Sequence, residues 1–216
     1  MTTRSAGYES STAHAASRGL VLMLHGGAER SRWPDHRARL AYLRMLPFLR
    51  ALPPDVLVWR LRYRYYGWNG ADADPVRDLE WALGRAAEVR PELPVILVGH
   101  SMGARAALWG GGDPRVAAVC ALAPWIEAGD PYQQLAGKQV LIAHGDRDRI
   151  TDPSASRRYA LAAEEAGARV TYLDVSGDGH AMLRRASHWN CLVGAFVSTV
   201  LDADAVGGST LARDCP

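Results

Sequence analysis

The stretch Pro94-Val-Ile-Leu-Val-Gly99-His100-Ser101-Met102-Gly103-Ala-Arg-Ala-Ala-Leu108 decides the fold. Val95–Val98 is a short apolar run, the mark of a strand covered on both faces. G-x-S-x-G follows, and then residues that favour helix. A strand passing so directly into a helix puts the serine in a sharp, strained turn. A Cβ at 99 or 103 is expected to collide where strand and helix close on one another, which accounts for both glycines. The Ser101 hydroxyl then projects above the sheet edge. The helix start points its free amides, Met102 N–H first, at the space beside it.

The same alternation recurs on either side. Apolar runs of strand length stand at Leu20–Leu24, Val56–Leu61, Val116–Leu122, Val140–Ala143 and Val170–Leu173. Helix-length stretches separate them: Arg37 to Leu46, stopped by Pro47; Asp74-Pro75 to Val89; Met102 to the glycines from Gly110; Asp152-Pro153 to just before Gly167. At Asp74-Pro75 and Asp152-Pro153 a capping acid precedes a proline in the first turn. A last helix carries Trp189, Leu192, Val193, Phe196, Val197 and Val200, spaced so that one face is continuously apolar. Strands alternating with helices predict an α/β fold, a mostly parallel sheet of about six strands with helices on both faces.

The chain has 216 residues, 48% of them hydrophobic, enough for one domain with a real core. No linker divides it, so a single domain spanning 1–216 is expected, with its core at about 18–203 and flexible ends at 1–17 and 204–216. A formal net charge of +2 gives no electrostatic case for nucleic acid or an anionic membrane as partner. Cys120, Cys191 and Cys215 cannot all pair with one another and form no C-x-x-C, which argues against a disulfide framework and a cysteine-built zinc site. No signal-peptide pattern opens the chain, and no apolar run approaches the roughly 20 residues that span a bilayer. The expectation is a cytoplasmic protein.

Three further segments each follow a predicted strand. They are Leu24-His25-Gly26-Gly27-Ala28, His144-Gly145-Asp146-Arg147-Asp148 and Ser176-Gly177-Asp178-Gly179-His180. Together with the serine turn, in this order, they resemble the α/β-hydrolase superfamily, and within it the small esterases and dienelactone-hydrolase-like proteins. The resemblance covers roughly residues 18–203. It departs from dienelactone hydrolases proper, whose nucleophile is typically cysteine where this chain has Ser101. It departs from the superfamily at its start, where the usual antiparallel strands are missing or reduced to residues 1–17.

The resemblance implies a Ser101–His180–Asp148 triad. Asp146 and Asp152 are the rival acids, the first as a turn residue and the second as a helix cap. The oxyanion amides would come from Met102 and from Gly27, with Ala28 as the alternative, while His25 braces its loop. Only twelve residues, 126–137, lie between Trp125 and Lys138, too few for a helical lid, so an open site without a cap domain is expected. Trp68 and Trp125 are candidate walls of the substrate pocket. Arg60, Arg62 and Arg64 either form a cationic rim or, as the favoured reading, pair with Asp72, Asp74 and Asp78.

The activity expected is hydrolysis of a small-molecule carboxylic ester through an acyl-enzyme, without cofactor or metal. The alternatives are a thioesterase or acyltransferase using the same site, and a non-catalytic binding protein that keeps the fold. The sequence leaves the oligomeric state open.

Overall fold

The computed structural model describes residues 5–11, 17–202 and 215. In chain order its strands are β1 (Gly7–Ser10), β2 (Gly19–Leu24), β3 (Val56–Arg62), β4 (Val95–His100), β5 (Val116–Leu122), β6 (Gln139–Gly145) and β7 (Arg169–Val175). They form one sheet in the order β1-β3-β2-β4-β5-β6-β7. All neighbours are parallel except β1, which runs antiparallel to β3 with Gly7 opposite Arg62. The sheet thus has seven strands where about six were expected. The additional strand lies in the small, polar stretch read as a flexible end. Tertiary contacts hold it: Tyr8 stacks on Trp59 at 3.8 Å, and Glu9 pairs with Arg60 and accepts the Tyr42 hydroxyl. The rest of the expected flexible ends, apart from Cys215 and a few residues around β1, falls outside the described residues.

The helices are α1 (Leu40–Leu43), α2 (Asp74–Val89), α3 (Met102–Gly110), α4 (Pro153–Glu165) and α5 (Ala186–Asp202). The helix expected over Arg37–Leu46 is therefore only the four residues of α1, followed by a 3-10 turn at Leu46–Arg50. Pro47 sits in the first turn of that second piece, where its missing N–H costs nothing. Asp152 caps α4 as expected, accepting from Ser154 N–H at 2.8 Å. Asp74 does not cap α2. The cap is Ala73, at φ 43°, and the Asp74 carboxylate instead binds Arg64 and Asn69.

Alternate residues of each strand feed two cores, which is why the runs read as continuously apolar. Leu22, Trp59, Leu97, Ala121 and Ile142 pack under α2, α3 and α4. Met23, Val58, Ile96, Cys120 and Leu141 pack against the Leu46–Arg50 turn and α5. On α5 the predicted face is buried: Trp189, Leu192, Val193, Phe196 and Val197 are each at most 2% exposed. At about 1.5–3 kcal/mol per large apolar side chain, this face is enough to hold the helix against the sheet. Among the described residues no helix is long and apolar enough to cross a membrane.

Cys191, on α5, forms a disulfide with Cys215. This corrects the expectation against disulfides and removes the cysteine argument for a reducing compartment. The pairing was hidden because nothing in the spacing of three cysteines tells that the chain end returns to α5. The bond closes a loop of sequence separation 24, for which the chain-entropy relation gives about 3.5 kcal/mol. The Cys191→Ser, Cys215→Ser double variant is expected to lose about 2–3 kcal/mol in urea unfolding. Any turnover that depends on Ser101 should persist, since neither sulfur belongs to the triad that the sequence leads one to expect.

Candidate active site

The parallel strands present their carboxyl ends along one edge, the usual ligand side of open α/β sheets. Ser101 stands there between β4 and α3, at φ 57° and ψ −118°, a backbone region disfavoured for a residue with a Cβ. The flanking glycines are required by space alone, as neither has a positive φ. A Cβ on Gly99 would lie 2.5 Å from Gly103 C=O, and one on Gly103 would lie 2.3 Å from Leu24 C=O. The turn can form only where both positions lack side chains.

β6 and β7 bring the other two groups to the serine. His180 Nε2 is 2.9 Å from Ser101 Oγ, and His180 Nδ1 is 2.8 Å from Asp148 Oδ2. Ser101 is 8% exposed, the His180 side chain 18% and the Asp148 side chain 0%, so the row opens to solvent at the imidazole. Asp146, the rival acid, holds the histidine loop by accepting from Gly177 N–H and the Ser176 hydroxyl.

Asp148 accepts more than the triad needs. Oδ1 takes the amides of Ile150 and Thr151, and Oδ2 takes His180, His144 Nε2 at 3.1 Å and the Thr151 hydroxyl at 2.9 Å. Burial opposes its ionisation, but hydrogen bonds from His144, His180 and the two amides outweigh it and hold its pKa far below the ordinary range. The carboxylate is therefore ionised whenever the fold is intact near neutrality. His144 then donates from Nε2, and its Nδ1 meets the Ser156 hydroxyl at 2.8 Å. One continuous chain of hydrogen bonds runs from Ser156 through His144, Asp148 and His180 to Ser101.

His100 ties the serine turn to the histidine loop, donating from Nε2 to His180 C=O at 3.0 Å. Burial, with the nearby His180, pulls its pKa down to about 3, which keeps the ring neutral. Asp178 anchors the same loop to α5, accepting from Gly179, Arg185 and Trp189 Nε1. The sequence reading passed over His100, His144, Thr151 and Asp178 as working residues. Only His144 carried a signal, as the first letter of its H-G-x-x-D segment. Thr151→Val keeps the shape and removes the hydroxyl from Asp148. A lost hydrogen bond to a charged group is worth about 1.5 kcal/mol, so kcat should fall about tenfold with KM little changed, read by steady-state kinetics.

Of the amides expected to take an oxyanion, Ala28 N–H is taken by Tyr66 C=O at 3.0 Å. Gly27 N–H meets no acceptor among the described residues, and Met102 N–H is an unpaired helix-start amide. Of the two alternatives, Gly27 is thus the one whose amide is free to take a ligand. His25 faces Asp35 through Nε2 at 2.9 Å and Gly26 C=O through Nδ1 at 2.7 Å, bracing the loop behind the site.

Trp68 and Trp125 stand together beside α3, with the Arg105 guanidinium 4.1 Å from one ring and 4.5 Å from the other. Arg64 pairs with Asp74 and Asp78, as the favoured reading had it. Arg60 instead pairs with Glu9 on β1, and Arg62 stands opposite Gly7 in the sheet. Between β5 and β6 the chain makes one 3-10 turn, Gln133–Leu135, and carries no cap domain.

Seven strands in this order, with helices on both faces and a serine turn after β4, define the α/β-hydrolase fold. Solved structures agree. Est1E from Butyrivibrio proteoclasticus is similar at TM-score 0.69 and 14% identity, over 91% of this chain and 93% of that one. The Bacillus cereus carboxylesterase is similar at TM-score 0.69 and 18% identity, over 90% and 94%. An alpha-beta serine hydrolase homologue from Coxiella burnetii is similar at TM-score 0.68 and 16% identity, over 90% and 91%. These neighbours are esterases and serine hydrolases. No protein-family model matches the chain. No curated protein matches it in sequence.

Proposed function

We propose that this chain is a serine-dependent carboxylic ester hydrolase acting on small-molecule esters. The observation that carries the reading is the unbroken row Ser101 Oγ, His180 and Asp148, with both imidazole nitrogens at hydrogen-bond distance. Ionised Asp148 fixes the proton on His180 Nδ1, leaving Nε2 as the base. As Ser101 Oγ bonds to the acyl carbon, its proton passes to His180 Nε2. The carbonyl oxygen, now an anion, takes the amides of Met102 and Gly27, each worth on the order of 3 kcal/mol in the transition state. The ester C–O bond then breaks, and the leaving alcohol takes the proton from His180. Water repeats the two steps and releases the acid.

The test is labelling with a fluorophosphonate probe beside turnover of p-nitrophenyl acetate, with acetyl-thioesters run in parallel. Labelling confined to Ser101 with ester turnover is the expected result. Thioester turnover far above ester turnover would move the assignment to a thioesterase. No labelling and no turnover would make the chain a binding protein on a hydrolase fold.

A further inference from the structure

The most exposed large apolar side chains among the described residues are Trp33, Leu40 and Ile150, at 76%, and Leu183, at 70%. All four stand on the chain that leaves the carboxyl ends of β2, β6 and β7, the edge where Ser101 lies. Ile150 comes two residues after Asp148, and Leu183 three after His180. Leu40 opens α1, which is tied to the histidine loop by Arg44 donating from Nη1 to Ala181 C=O. Trp33 lies in the loop that carries Gly27, held by Tyr66 N–H on its carbonyl. Single exposed leucines need no explanation, but apolar side chains collected on one functional edge mark a docking face.

Arginines stand among them. Arg147 and Arg149 flank Asp148, and Arg184 and Arg185 follow Leu183; all four are exposed, and none pairs with a carboxylate among the described residues. The two loops are joined: Arg147 N–H donates to Asp178 C=O, and the Asp178 carboxylate accepts the amides of Arg184 and Arg185. Two of the acids here turn inward, since the Asp148 side chain is shut off from solvent and Asp178 is buried. Segments 25–44, 145–151 and 176–185 together hold nine arginines against five acids, although the whole chain has an excess of only two positive charges. Positive charge is thus concentrated at this edge, which the net charge conceals.

Charge and apolar surface together narrow the partner. Arg149 directly precedes Ile150 and Arg184 directly follows Leu183, so cation and apolar side chain leave the backbone side by side. A layer of anionic lipid answers both: its phosphates take guanidinium groups, the acyl boundary beneath takes leucine and isoleucine, and an indole settles at headgroup level. Side chains this exposed suit a flat partner, whereas a small ligand would need them to wall a cleft. A partner seated here also covers the way to Ser101, so it has to be what carries the ester, and a glycerolipid layer presents acyl esters at its surface. We propose that this edge docks on an anionic lipid surface, with Ile150 and Leu183 entering it and the four arginines on its headgroups. The docking rests on these side chains alone; that it brings esters to Ser101 rests on the hydrolase reading.

The experiment separates the two. Ser101→Ala, which leaves lipid esters intact, is floated with vesicles of phosphatidylcholine alone and of equimolar phosphatidylcholine and phosphatidylglycerol. It is expected to bind the mixed vesicles, to leave the neutral ones unbound, and to lose binding as salt rises. In that background Arg149→Gln and Arg184→Gln should each lower the partition coefficient about fivefold, the share of one arginine near such a surface. Leu183→Ser should lower it as well, which attraction by charge alone would not do, while Arg85→Gln on α2 should change nothing. No binding to the mixed vesicles, or binding that these loop variants leave untouched, would overturn the surface. Binding to polyglutamate with none to the mixed vesicles would overturn it too, in favour of an acidic protein. Vesicle binding with no turnover of p-nitrophenyl acetate by the unaltered chain would uphold the surface and overturn the hydrolase. Turnover without vesicle binding would overturn the surface and leave the hydrolase standing.

Discussion

Ser101→Ala is expected to lower kcat for ester hydrolysis by about 10^4-fold or more, the scale on which serine triads fail when one member is lost. The expectation follows from position: Oγ is the hydroxyl held at His180 Nε2, and among the described residues no second hydroxyl stands there to replace it. Stability should hardly change, because alanine keeps the Cβ and the backbone conformation. Ser101→Gly makes the complementary case. At φ 57° and ψ −118° a residue with a Cβ is strained, and such positions cost about 1–3 kcal/mol. Glycine relieves this at some cost in unfolded-chain entropy. The Gly variant should therefore be as inactive as the Ala variant, yet more stable by about 1 kcal/mol in urea unfolding. Equal stability of the two would mean that the strain relieved is no larger than the entropy that glycine adds to the unfolded chain. Undiminished turnover in either would remove Ser101 from the chemistry.

The site was legible where it is built from short-range patterns. G-x-S-x-G carries its own reason, since Gly99 and Gly103 stand where a Cβ would meet backbone within 2.5 Å. The strand runs were legible because β2, β4, β5 and β6 are covered on both faces, and α5 because its period is regular. Illegible features all depend on partners remote in the chain. β1 exists because Tyr8 finds Trp59 and Glu9 finds Arg60. The Cys191–Cys215 bond depends on where the chain end returns. Thr151 gave no signal at all: a threonine before a helix cap reads as loop, and only the fold turns its hydroxyl onto Asp148. Arg105 was hidden among helix formers, although it gathers Trp68 and Trp125 around one guanidinium.

His100, Asp178 and His144 share a task that a triad alone does not describe. His180 sits on a loop between an edge strand and α5, the kind of segment that moves most easily. Bonds from His100 to its carbonyl, and from Asp178 to the amides on either side, fix that loop from the serine turn and from α5. His144 does the same for Asp148 from the strand that carries it. Ser101, His180 and Asp148 are thus set against one another by the sheet rather than by a closing lid, which suits a fold without a cap domain.

Asp148→Asn tests both the chemistry and the stability of this arrangement. The two backbone amides at Oδ1 select the amide oxygen for that side, which leaves the NH2 group facing His180 Nδ1 and His144 Nε2. His180 must then accept at Nδ1 and carry its proton on Nε2, aimed at Ser101, so it can no longer take the serine proton. A loss of about 10^4 in kcat is expected from the wrong tautomer alone. The folded-state pKa of Asp148 lies below its ordinary 3.8, so its ionised form stabilises the native state. That contribution is fully present above the unfolded value and drains away as pH falls below it. The variant lacks it at every pH. Wild type should therefore be the more stable at pH 7, and the two unfolding free energies should draw together as pH drops below about 4. A gap that stayed constant into acid would show that the five bonds to Asp148 hold its loop by shape and not by charge.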